Sequence, residues 1–301
     1  MQQIIATPTI PKEDLLQPEE AIAKQVIDGE YIEVDLPSNF VFYPFKHLYI
    51  KPFKMKHIRK LIQGQTNKNV HYMAQVLNSC IKCEQPIKDL VYHLTQEDFT
   101  YLMYWERLHS MPNMQYNYRC HCNNPQHIKD VEQGKASEKS LVFVQPISKS
   151  TLHTDFLDKE QSYSIDQSKY ISPQFKQAYP TARVKIPLLK DYLDMLDLAE
   201  KELVEDDEEG QIWFLTGVAA CRLSITNQQG QELSFKERFD ILDNLDPESF
   251  YMFKDSEQVL PAYGVNEFIN AKCPKCGAVT KTRVVLTAHS FLPSVNNARS
   301  A

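Results

Sequence analysis

Lys272-Cys273-Pro274-Lys275-Cys276-Gly277 has the C-P-x-C-G form of a zinc knuckle. Its Pro and Gly let the backbone turn tightly, so that both thiolates point at one ion. One knuckle supplies two ligands, and a closed structural zinc site needs four. The complement is Cys120-His121-Cys122. A shared ion would tie together segments about 150 residues apart, and closing such a loop costs roughly 4–5 kcal/mol of chain entropy. A structural zinc site contributes roughly 10–16 kcal/mol, so the metal closes the loop and still stabilises the fold. The expected ligand set is Cys120, Cys122, Cys273 and Cys276, holding one structural Zn2+ per chain. His121 reads as an outward spacer and His127 as a loop residue, and either could replace a cysteine ligand. An all-cysteine site leaves no position open for water, so its role is structural rather than hydrolytic.

Working outward, Val265–Ala271 reads as a strand into the knuckle and Val279–Leu286 as a strand out. Tyr116–Arg119 runs as a strand into the first cysteine pair. The chain has 7 cysteines, an odd number, set as close pairs plus Cys221. That pattern belongs to metal binding in a reducing compartment rather than to a disulfide framework. Cys80-Ile81-Lys82-Cys83 is also C-x-x-C, open to reading as a redox pair or as the partner of the second knuckle. It ends a helical pattern without Gly or Pro, and no thioredoxin-like strand leads into it. Cys80 is therefore expected in the core and Cys83 at the surface. Cys221 is expected as a small apolar core residue.

The 301 residues suffice for a full core in one large domain or two. Phe and Tyr number 15 each and Gly only 8, which suits a packed, interface-rich protein better than a Gly-loop nucleotide enzyme. The net charge of −6 argues against a general nucleic-acid binder. The N-terminus shows no basic region followed by an apolar core, so no signal peptide is expected. The longest apolar run, Ile212 to Cys221, is about half of a bilayer span.

Periodicity predicts an α+β protein: a mainly helical body, small antiparallel sheets and a discontinuous zinc ribbon built on four cysteines. Residues 1–30 read as an arm with a short helix over 18–28. Residues 31–122 read as an α/β region ending in the first cysteine pair. Residues 123–183 read as a loop-rich excursion, 184–293 as a helical region with the second half of the ribbon, and 294–301 as a tail. Strands are expected at Tyr31–Leu36, Val41–Tyr43, Leu48–Ile50, Ser140–Pro146 and Val184–Ile186. Helices are expected over 54–64 and 70–81, from Thr95 to near Ser110, and along Leu189, Tyr192, Leu193 and Leu196. Ile212–Ile225 reads as a buried helix. Ser234-Phe235-Lys236-Glu237 is a capping box, and Pro247 starts a further helix. Glu205-Asp206-Asp207-Glu208-Glu209 reads as a solvated turn.

Catalytic groups do not assemble from spacing. There is no P-loop, G-x-G-x-x-G, G-x-S-x-G or H-E-x-x-H, and the 9 His are scattered.

Three stretches resemble the baseplate hub protein family of T4-like, contractile-tailed bacteriophages. The first is Leu36-Pro37-Ser38-Asn39-Phe40-Val41-Phe42-Tyr43 with the Leu48–Ile50 strand and the helix behind it. The second runs from Leu77-Asn78-Ser79-Cys80-Ile81 through Leu94-Thr95-Gln96-Glu97-Asp98-Phe99 and Trp105–Ser110 to Tyr118-Arg119-Cys120-His121-Cys122. The third is Leu233–Asp246, Tyr263-Gly264-Val265, the knuckle and Phe291-Leu292-Pro293. Cys120-x-Cys122 stands where C-x-x-C would be expected. The resemblance implies a virion or assembly protein and not an enzyme. Its place would be a tail baseplate, with host cytoplasm during assembly, and its partners other baseplate and tail proteins in a symmetric assembly. The rival reading is a zinc-ribbon nucleic-acid binder, with Lys54, Lys56, Arg59 and Lys60 as a basic helix face.

Overall fold

A computed structural model describes residues 3–4, 30–63, 69–110, 116–122, 124–137, 142–147, 152–159, 164–165, 170–255, 260–274 and 277–291. The expected helix over 18–28 lies outside them.

In chain order the first half runs β1 (Gln3–Ile4), β2 (Ile32–Val34), β3 (Leu48–Ile50), α1 (Met55–Gln63), α2 (Asn69–Asn78), β4 (Ile81–Cys83), α3 (Gln96–Ser110), β5 (Tyr116–His121), α4 (Pro125–Glu132) and β6 (Val142–Ile147). The second half runs β7 (His153–Asp155), β8 (Ser164–Ile165), α5 (Pro173–Ala178), β9 (Arg183–Val184), α6 (Leu189–Glu202), α7 (Glu208–Arg222), β10 (Leu223–Ser224), α8 (Phe235–Asp243), α9 (Pro247–Lys254), β11 (Gly264–Asn266), β12 (Phe268–Lys272) and β13 (Val279–Arg283). All pairings among the described residues are antiparallel, in sheets of two or three strands. The α+β expectation holds.

Local chemistry explains most of the helix starts. Thr95 Oγ1 accepts from Asp98 N at 3.3 Å and opens α3. Ser234 and Glu237 close the capping box of α8. Asp246 caps α9, with Pro247 in its first turn. Asp207 Oδ1 accepts from Gly210 N and opens α7, so the acidic run supplies the cap and, through Glu208 and Glu209, the first turn of a helix rather than a plain turn.

Several expectations are corrected. Val41–Tyr43 forms turns, because Asn39 (φ 49°) and Phe40 (φ 61°) carry the chain through left-handed backbone. Ile81 belongs to β4 rather than to the second helix. The polar stretch after residue 123 contains α4, set by Asn124 as cap and Pro125 at the first helical position. Glu267 separates β11 from β12 within the expected single strand. Ile212 on α7 is 66% exposed, so that helix is only partly buried. Cys83 is buried, as Cys80 is, and not at the surface, because β4 pairs with the central strand β3 through Leu48↔Cys83 and Ile50↔Ile81.

The chain divides into two compact units, interleaved in sequence. One comprises Met1–Lys51, Leu77–Phe99 and Phe156–Tyr263. Its sheet β2-β3-β4 buries Val34, Leu48, Ile50 and Ile81. The Ser38–Phe40 turn is held by buried Asp98, which accepts from Ser38 N at 3.0 Å and from Tyr43 Oη. Asp98 therefore anchors a remote turn instead of reaching back to complete a capping box. Helices α6, α7 and α8 pack together. A Cβ on Gly217 would meet Met195 Sδ at 2.8 Å, so glycine sets the closeness of α6 and α7. Asp191 lies between Lys185 Nζ (3.0 Å) and Arg238 Nη2 (2.6 Å), all three buried. Burial works against its charged form, but Lys185 and Arg238 outweigh that and hold the carboxyl below the usual range.

The second unit comprises Pro52–Val76, Thr100–Asp155 and Gly264–Ala301. Tyr104, Ile269 and Val284 form a buried cluster, with Leu152, Val265 and Leu286 packed against it. Tyr104 Oη donates to Val284 O at 2.9 Å. Glu106 Oε2 accepts from Phe53 N at 2.9 Å and Ser110 Oγ at 2.7 Å. Arg107 Nε donates to the Ser290 carbonyl. Phe53 lies against Phe291, with ring centroids 5.7 Å apart.

Candidate metal centre

The antiparallel hairpin β12–β13 delivers the knuckle. Its last register pair is Lys272↔Val279, and the chain turns between them. Cys273 N donates to Ala278 O at 2.8 Å, and Gly277 N donates to Cys273 O at 2.9 Å. Gly277 sits at φ 71°, in the left-handed region that glycine enters without a Cβ penalty. Cys276 lies outside the described residues. Cys273 is 2% exposed and stands outside any disulfide among the described residues.

The second contribution comes from the end of β5. That strand pairs with β6, and Cys120 opposes Phe143 while His121 opposes Val142. His121 is exposed. Cys122 is 2% exposed, just past the strand. The chain then enters α4, where Asn124 Oδ1 accepts from Gln126 N at 2.9 Å and His127 N at 3.3 Å. This cap fixes the first turn of α4 and holds His127 half-buried, with Nδ1 3.2 Å from Cys122 Sγ.

Cys122 Sγ, a ring nitrogen of His127 and Cys273 Sγ all lie within 4.8 Å of one another. In tetrahedral zinc, bond lengths of about 2.3 Å to sulfur and about 2.0–2.1 Å to nitrogen put neighbouring donors roughly 3.6–3.8 Å apart. The three donors lie within 4.8 Å of one another, a range that includes that spacing, and soft thiolates with an imidazole are a donor set that suits zinc. The structure brings Cys122 and Cys273 within 4.8 Å of each other. It adds His127, expected in a loop and as a possible replacement for a cysteine ligand. The missed signal was Asn124-Pro125, a helix start that turns a loop histidine into an oriented one.

Burial pushes the thiols of Cys83 and Cys221 up to about 12, so neither is a thiolate at neutral pH. A cavity of about 340 Å³ in the first unit is lined by Glu97, Tyr192, Cys221, Arg222 and Tyr263 among others. Lys54, Lys56, Arg59 and Lys60 are exposed, as a solvated helix face would be. Among the described residues no helix is long and apolar enough to cross a membrane.

The architecture is that of an α+β protein with three possible metal donors gathered at the turn of a hairpin. Residues 32–292 match the family model for the T4 bacteriophage base plate protein. That match covers most of the chain, and the chain belongs to this family. Comparisons with curated proteins and with solved structures each return no match.

Proposed function

We propose that this chain is a structural, non-enzymatic component of a phage tail baseplate, at or near its hub, in which one Zn2+ staples the hairpin to the end of β5. Family membership supports the baseplate setting and other phage tail proteins as partners. The convergence of Cys122, His127 and Cys273 is the observation that carries the metal. Cys276, three residues beyond Cys273 in the knuckle, supplies a third thiolate. The fourth position has two claimants. Cys120 is two residues before Cys122 in the sequence. His127 already stands among the described donors. Bound zinc would supply cross-linking rather than chemistry on a substrate. The protein's own part is to hold the thiolates dry, orient the imidazole through the Asn124 cap and present rigid surfaces to its neighbours.

The test is elemental analysis of the folded full-length chain after removal of loose metal, together with mass spectrometry of purified particles. One zinc per chain and presence in particles or assembly intermediates support the reading. Folded protein without zinc ends the metal assignment, and absence from every tail assembly ends the baseplate role.

A further inference from the structure

The β12–β13 hairpin has two unlike faces. Ile269, Ala271 and Val284 face the core that contains Tyr104. On the opposite face Phe268, Asn270 and Lys272 of β12 lie across from Arg283, Lys281 and Val279 of β13, and all six are exposed. The set holds three cations and no carboxylate. Phe268 is 47% and Val279 64% exposed, and Lys281 Nζ lies 4.8 Å over the Phe268 ring. Arg283 pairs with Glu267 at 2.9 Å, an exposed contact worth little in water. In a chain of net charge −6 this face gathers positive charge around an exposed aromatic ring.

The same chain carries a matching element. Glu205-Asp206-Asp207-Glu208-Glu209 is exposed at every position, at the start of α7. We infer that the outer face of β12–β13 binds the acidic run 205–209 of a second copy of this chain. The scale of the charge favours a short acidic segment over nucleic acid. Tight nucleic-acid complexes rest on about six to ten phosphate contacts, and this face offers three cations. Lys281 and Arg283, two residues apart on one strand, stand about 6.8 Å apart, a span that a few consecutive carboxylates cover. Patch and occupant differ, so the contact is heterologous: copies add head to tail and either close into a ring or extend. The inference goes beyond the scaffold role and does not depend on the metal.

Sedimentation of the full-length chain over a range of concentrations tests it. Association is expected at low salt and should weaken about tenfold or more at high salt. Two charge-reversed chains sharpen the test: Lys281→Glu with Arg283→Glu, and Glu205→Lys with Asp206→Lys. Circular dichroism checks that each still folds. Each alone should lose association about tenfold or more, because like charges then face each other. Mixed together, the reversed hairpin of one meets the reversed run of the other, and association should return. A wild-type chain that stays monomeric at low salt overturns the inference. So does a mixture that fails to associate. Oligonucleotide binding that disappears with Lys281→Glu and Arg283→Glu, without self-association, would assign the face to nucleic acid instead.

Discussion

The Tyr104 hydroxyl donates to the Val284 carbonyl at 2.9 Å, and both residues are buried. The bond joins α3 to the residue just past β13, across 180 positions of sequence. The hairpin is thus anchored by a core hydrogen bond as well as by the proposed ion.

Tyr104→Phe keeps the ring and removes the donor, leaving a buried carbonyl without it. The expected loss is about 1–3 kcal/mol in chemical denaturation, with zinc content unchanged. A loss of zinc in this variant would mean that the metal and the hydrogen bond act as one unit.

The ligand set separates by single substitutions. Cys122→Ser and Cys273→Ser should each abolish stoichiometric zinc and lower the melting temperature, because an under-coordinated ion no longer holds the hairpin. If His127 is the fourth ligand, His127→Ala loses zinc and Cys120→Ser retains it, and the reverse holds for the four-cysteine set. Zinc retained in both would point to a ligand outside Cys120, Cys122, His127, Cys273 and Cys276.

Cys83 should be silent toward alkylating reagents in the folded protein at pH 8. Burial pushes its thiol up to about 12, and Sγ donates to Gln85 O at 3.0 Å. Labelling should appear only with global unfolding, read by mass spectrometry of the modified peptide. Rapid labelling under native conditions would show that β4 opens locally.

Glu106 predicts a pH dependence. Burial raises its carboxyl from the ordinary 4.5 to about 8, against the opposing hydrogen bonds from Ser110 and Phe53. The folded state therefore holds a proton that the unfolded state releases near pH 4.5. This contribution is fully present below that pH, falls as pH rises and is gone above about 8. Glu106→Gln imitates the protonated acid, so it should flatten this part of the profile. Its stability relative to the native chain should rise between pH 5 and 8 by on the order of 2–4 kcal/mol. Thermal melts of the two proteins across that range decide it, and parallel curves would refute the assignment.

Asp191→Asn leaves Lys185 and Arg238 buried without their shared counter-ion. A loss of about 3–5 kcal/mol is expected, as for other broken buried pairs. A loss below about 1 kcal/mol would show that Glu232, already 2.8 Å from Lys185 Nζ, takes over the charge.

What the sequence alone determined is local. The Cys273 knuckle, the Ser234 capping box, the Pro247 start and the stripe of α6 were legible because each depends on residues within a turn or two of one another. So was the α+β class, which follows from period. The tertiary structure decided what depends on partners far along the chain. Cys83 is buried because β4 finds β3, a pairing that no spacing in Cys80-Ile81-Lys82-Cys83 announces. Asp98, in the first turn of α3, reaches out of its own helix to Ser38 and Tyr43. His127 joins Cys122 and Cys273 only once α4 has formed and the hairpin has been brought back to β5. Local hydrogen bonds and dihedrals are written in consecutive residues. Long-range convergence is selected by burial of the whole chain, so the residues that share a site need share no pattern.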